Sequence, residues 1–213
     1  MQPPVAPVPD ANFIATARRR LAAQDPALAR VDALTPAFEW LARPAGYPAL
    51  VWMIIGQQVS VASAEAVWAR LLACVGEVTP GAMLALSDEA LRAVGFSRQK
   101  ARYVRLIAAA EVDYAGLSML PEEAALAVLT ALTGVGRWSA ECYLLISEGR
   151  VDAFPGGDIA LQEAIRWADD LEARPDARAA YARAEAWRPL RGVAAQLLWA
   201  WYVGVKAGAL SRG

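Results

Sequence analysis

Apolar side chains along this chain recur at intervals of three and four, the spacing that lines one face of an α-helix, and no stretch alternates as a half-buried strand does. Capping residues, glycines and prolines divide the pattern. Asp10 can cap a helix that stops near Asp25-Pro26, after which a proline-broken connector is expected through Pro36 and Pro44. Tyr47 to Ile55 is almost wholly apolar, the mark of a buried helix, and it ends at Gly56-Gln57-Gln58. The next helix runs from Ser60 to Val75 and is closed by Gly76. Ser87 caps a short helix ending at Gly95, and Ser97 caps Arg98 to Val112, which has one basic and one apolar face. Pro121 opens a helix leading into Gly134-Val135-Gly136, and Arg137 to Glu148 is the helix that leaves it. The loop Gly149 to Gly157 then delivers Asp158 to the N-terminus of a helix reaching Ala168. Pro175 and Pro189 precede the last two helices. The class implied is all-α, behind a proline-rich flexible tail over Met1 to Pro9.

A chain of 213 residues can hold one sizeable domain or two small lobes. No apolar run approaches the roughly 20 residues of a membrane span, and the first residues lack the basic and apolar regions of a signal peptide. A cytoplasmic protein is therefore expected, at the nucleoid of a bacterium or wherever genomic DNA resides, with no membrane partner and as a monomer. The two cysteines, Cys74 and Cys142, are too few for a disulfide framework or an iron-sulfur cluster, and no cofactor is expected. Histidine is absent, which excludes His-based zinc sites, Ser-His triads and histidine bases. Chemistry falls to carboxylates, hydroxyls, a thiol or the two lysines, Lys100 and Lys206. A net charge of −1 gives no global attraction to a polyanion. Arg98, Lys100, Arg102 and Arg105 nevertheless cluster along one helix, as do Arg188 and Arg191 near the end.

The stretch from Leu132 to Asp158 carries the most chemistry. Glycines at 134 and 136 permit a sharp turn and close backbone approach, and the amides opening the next helix suit an anion such as phosphate. Arg137 adds a cation beside them, and Trp138 puts an aromatic on the first helical turn. On the glycines alone a ligand-free helix–helix turn is an equal reading. Asp158 is, on local sequence, either a helix cap or a carboxylate presented at a site.

Taken together, Leu132 through Ala140, Phe154-Pro155-Gly156-Gly157-Asp158, Ile55-Gly56-Gln57-Gln58-Val59-Ser60, Gly95-Phe96-Ser97 with Lys100, and Trp187-Arg188-Pro189-Leu190-Arg191 resemble the helix-hairpin-helix DNA glycosylase superfamily, in family order. The alkylbase branch, of the 3-methyladenine DNA glycosylase II type, is the nearer match. The resemblance implies two helical lobes with DNA in the cleft between them. Residues 47–150 would form the central lobe, and 10–46 with 151–213 the second. It implies that Asp158 is the catalytic carboxylate and that Trp138 and Trp199 line the base pocket with Cys142 and Ile159. The last two stand where aromatics occur in relatives, which would reshape the pocket. Bifunctional relatives carry a lysine at the position of Trp138, so the implied enzyme is monofunctional and leaves an abasic site. Gln58, with Gln57 close behind, would fill the gap left by a flipped base, beside Ser60. Gly134, Val135, Gly136 and Arg137 would contact DNA, and the carbonyls of Thr130, Leu132 and Val135 could hold a monovalent cation. Asp152 reads as a loop-organising residue.

The expected partner is double-stranded DNA containing alkylated bases. Competing readings are a non-enzymatic helix-hairpin-helix DNA-binding module, a glycosylase for deaminated or mismatched bases, and an all-α interaction protein without nucleic acid. The tryptophans at 40, 52, 68, 167, 187 and 201 are assigned to core or scaffold.

Overall fold

Local capping chemistry sets most of the element boundaries. The computed structural model describes residues 8–212, so residues 1–7 of the expected tail lie outside the described residues. Among the described residues there is no strand, and no helix is long and apolar enough to cross a membrane. The first helices are α1 (Ala11–Gln24), α2 (Pro26–Leu34), α3 (Tyr47–Gly56), α4 (Val61–Val75), α5 (Pro80–Ala85), α6 (Asp88–Val94) and α7 (Arg98–Ala109). They are followed by α8 (Tyr114–Met119), α9 (Glu122–Thr130), α10 (Arg137–Cys142), α11 (Ile159–Ala168), α12 (Ala177–Ala184) and α13 (Arg191–Lys206). Side chains of Asp10, Ser60, Ser87, Ser97 and Asp158 each accept an N–H from the first turn that follows, as their sequence positions imply.

Five elements differ from expectation. The connector after Asp25 contains a helix, α2, because Asp25 turns extended after closing α1 and its Oδ1 accepts from Ala27 N and Leu28 N. Pro26 then sits at the helix start, where its missing N–H removes no helical bond. The helix from Arg98 stops at Ala109, since Glu111 adopts φ +47 and reverses the chain. The helix leaving the glycine hairpin is α-helical only to Cys142 and continues as a π-helical turn over Tyr143–Ser147. Two short helices, α5 and α8, arise in stretches left without an element, each started by a side-chain cap from Thr79 or Asp113.

Two compact units form, one from Arg43–Tyr143 and one from residues 8–42 with 144–212. In the first, α3 is the central rod. Tyr47, Leu50, Val51, Met53, Ile54 and Ile55 are buried, and the helix packs on α4 and α7. The Tyr47 hydroxyl donates to Val104 O on α7 at 2.9 Å, and Gly46 N donates to the Tyr143 hydroxyl at 2.9 Å. In the second unit α13 is the rod, packed on α11, α1 and α2 with Val193, Leu197, Leu198 and Trp201 buried. The chain passes to this unit after Tyr143 rather than at Arg150. Leu144, Leu145 and Ile146 are buried, and Trp40 Nε1 donates to Leu145 O at 3.1 Å. Asp25 ties several elements of the unit together: its Oδ2 accepts from Trp187 Nε1 and pairs with Arg183, each at 2.7 Å.

Candidate functional site

The candidate residues are divided between the two units. In the first, α9 runs into the glycine hairpin, and its two glycines serve different ends. Gly134 adopts φ +92, and a Cβ there would lie 2.4 Å from the Tyr103 ring, so both backbone and packing require glycine. Gly136 is extended at φ −85, with open space where a Cβ would project. Only Gly134 turns the chain; Gly136 leaves the surface bare for an approaching molecule. No side chain caps α10 at Gly136. Val135 is buried, which restricts its possible DNA contact to the backbone, and its N–H donates to Leu132 O at 3.0 Å.

The turn after α3 is braced against this hairpin. Gln57 Nε2 donates to Gly134 O at 3.0 Å, and Lys100 Nζ donates to Ile55 O at 2.7 Å and Gln57 O at 2.8 Å. Lys100 therefore satisfies carbonyls at the C-terminal end of α3, where a cation also complements the helix dipole, and burial lowers its pKa. Gln58 is exposed and holds φ +58, an unusual backbone for a side-chain-bearing residue. Of the two adjacent glutamines, one is a structural brace and the other is presented to solvent. Ser60 caps α4 by accepting from Ser63 N at 3.2 Å. A groove of about 570 Å³ lies here, lined among others by Gln58, Lys100, Tyr103, Thr130, Gly134 and Gly136. Arg137 is held against the buried Glu141 at 2.8 Å and Glu123 at 3.9 Å, which tempers the cation expected beside the hairpin amides. Trp138 is half-buried on the first turn of α10, and Cys142, one turn on, is buried.

In the second unit the Phe-Pro-Gly-Gly-Asp loop is anchored from several sides. Phe154 is buried, with its ring edge-on to Trp187 and Tyr181. Buried Gln162 reaches back from α11 to donate to Gly156 O at 2.9 Å. Upstream, Asp152 accepts from Arg188 at 2.7 Å, from Arg191 Nη2 at 3.0 Å and from Arg191 N at 3.1 Å, which ties the loop to the start of α13 and fits its loop-organising reading. The product of these anchors is the placement of Asp158. Its Oδ1 accepts from Leu161 N at 2.9 Å, capping α11, and from Trp199 Nε1 at 3.0 Å. Capping does not exclude presentation, because the carboxylate that caps α11 stays half-buried rather than enclosed. Ile159, next along, is 61% exposed.

Sequence reasoning missed three of these roles: Gln162 as a loop clasp, Lys100 as a brace, and the Trp199 N–H as a donor to Asp158. Gln162 did leave a signal, being polar on the apolar face of α11, one turn from Asp158.

The profile of HhH-GPD superfamily base excision DNA repair proteins matches residues 51–189. The chain belongs to this family. Within the HhH-GPD match lie Gln57, Gln58, the glycine hairpin, Trp138 and Asp158, while Trp199 and Arg191 fall beyond it. A Bacillus subtilis relative is 28% identical over 72% of this chain, which spans only 58% of that protein's length. DNA-3-methyladenine glycosylase 1 of Schizosaccharomyces pombe is 29% identical over 72% of this chain and 71% of its own. The solved structure of the Schizosaccharomyces pombe 3-methyladenine DNA glycosylase in complex with abasic DNA superposes with a TM-score of 0.77 at 26% identity, covering 86% of this chain and 95% of that one.

Proposed function

We propose that this protein is a monofunctional DNA glycosylase that flips alkylated purines out of duplex DNA and hydrolyses their N-glycosidic bond, leaving an abasic site. The observation that carries the reading is the built placement of Asp158, clasped by Leu161 N and Trp199 Nε1 in a chain of a base excision family. As the bond from the sugar C1′ to the base breaks, the electron pair leaves with the base and positive charge develops on the sugar. The Asp158 carboxylate stabilises that charge and accepts the proton of the attacking water. Trp138 offers an aromatic face to a cationic alkylated purine, and its lack of an amine leaves no Schiff base to form at this position. Gln58 fills the vacated stack, and the hairpin groove holds the DNA backbone, with a monovalent cation at its carbonyls.

The test is base release from methylated duplex by Asp158→Asn. Asparagine is an equally good helix cap, so the fold is retained while the negative charge is removed. Excision should fall at least about 100-fold, the scale of losing one preorganised electrostatic contact. Near-normal release would sink the assignment, and a borohydride-trapped covalent adduct would refute the monofunctional part.

A further inference from the structure

A second groove in the first unit, about 970 Å³, follows the side of α7 that faces α5 and α6. Its walls carry Arg92, Arg98, Arg102 and Arg105 against a single carboxylate, Asp88. Arg98, Arg102, Arg105 and Ala109 recur at the spacing of one helical face, whereas Lys100 and Tyr103 line the hairpin groove instead. Arg105 is committed structurally, paired with Asp88 and donating to Leu86 O at 2.5 Å. Arg98 and Arg102 are exposed and make no ion pair or hydrogen bond among the described residues. That is notable in a chain with 22 acidic residues to its 21 basic ones, where carboxylates are plentiful. Ser97 lines both grooves, so they adjoin at the start of α7. A polyanion leaving the hairpin groove there meets Arg98 and then, one helical turn on, Arg102.

We propose that this groove is a second phosphate track, in which Arg98 and Arg102 each engage a backbone phosphate of duplex flanking the hairpin-bound segment. The inference rests on the reading of this chain as a DNA-binding glycosylase, and it extends the footprint beyond the hairpin. Phosphate contacts carry no sequence information, so the track adds affinity for damaged and undamaged duplex alike. Exposed Leu84 and Leu106 on the groove wall would also suit an acidic helix of another protein. Continuity with the hairpin groove at Ser97 favours phosphate.

The experiment measures binding of undamaged duplexes of about 10 and about 30 base pairs against salt concentration, for wild type and Arg98→Ala/Arg102→Ala. Each phosphate neutralised contributes about 0.9 to the slope of log K against log salt. The variant should therefore be shallower by about 1.8 on the long duplex and unchanged on the short one. The pair Arg98→Lys/Arg102→Lys keeps the charge and should restore the slope. Both arginines are exposed, so thermal stability should match wild type. An unchanged slope on the long duplex overturns the proposal and leaves the groove to a protein partner. Absence of base release by wild type on methylated short duplex would refute the glycosylase reading instead, without touching the slope.

Discussion

The contact between Trp199 and Asp158 can be isolated by one substitution. Trp199→Phe keeps an apolar ring but deletes the N–H that reaches Oδ1 at 3.0 Å, while Leu161 N at 2.9 Å still caps with the same oxygen. A hydrogen bond to a charged acceptor contributes about 1.5–3 kcal/mol. Both residues are only half-buried, so water replaces part of the lost donor and the lower end of that range applies. About 1.4 kcal/mol of lost transition-state stabilisation slows the chemical step roughly tenfold. Single-turnover release of 7-methylguanine with enzyme in excess reads that step, and affinity for undamaged duplex should not change. Trp199 acts through the carboxylate, so adding Trp199→Phe to Asp158→Asn should slow the enzyme no further than Asp158→Asn alone. Trp199→Ala removes the ring as well and reports any stacking contribution separately. A Phe variant at the wild-type rate would show that the N–H has no part in positioning Asp158.

Two further outcomes follow from the packing. Burial pushes the Asp25 carboxyl up, but hydrogen bonds from Arg183, Trp187 and Leu28 N, with the Arg183 charge, outweigh it and bring it from 3.8 to about 2. A carboxyl depressed in the folded state adds stability above pH 3.8, and that stability is lost as pH falls through about 2; the shift corresponds to about 2 kcal/mol. Urea unfolding followed by circular dichroism should show this loss in wild type and a flatter acid limb in Asp25→Asn; identical acid limbs would refute the attribution. Gly134→Ala should destabilise the hairpin unit by at least about 2 kcal/mol, from left-handed strain plus collision with the Tyr103 ring, and weaken duplex binding about tenfold or more. Gly136→Ala, with open space around it, should leave thermal stability near wild type, and equal Tm losses for both variants would contradict the distinction.

Helix order and most helix starts were legible because the signals are local: Asp10, Ser60, Ser87, Ser97 and Asp158 all cap where they stand. The missed α2 shows the limit of reading punctuation alone, since Asp25-Pro26 looks like a stop and is equally a start. The end of α10 was illegible because nothing in Tyr143–Ser147 breaks a helix; the winding changes where the chain leaves the first unit at Tyr143 and Leu144 begins the second. Asp158 could be picked out from its motif, yet the means of holding it could not. Its indole donor is 41 residues away, and Arg191 meets Asp152 across 39. Such pairings depend on how helices pack, which periodicity does not encode. Lys100 stood in a basic cluster that suggested a polyanion, but carbonyls at the end of α3, four helices upstream, claimed it.

The hydrogen bond from Gln57 to Gly134 O gives the first unit the character of a caliper. One jaw is the hairpin, the other is the left-handed residue Gln58, and the neighbouring Gln57 side-chain amide, hydrogen-bonded to Gly134 O at 3.0 Å, ties the two together. A glycosylase so built would measure as it grips. On the proposed reading, a backbone phosphate seated at the hairpin would leave the nucleotide facing Gln58 set by a fixed distance rather than by a search. A sliding protein of this kind would sample every position at the same register and interrogate one nucleotide per step.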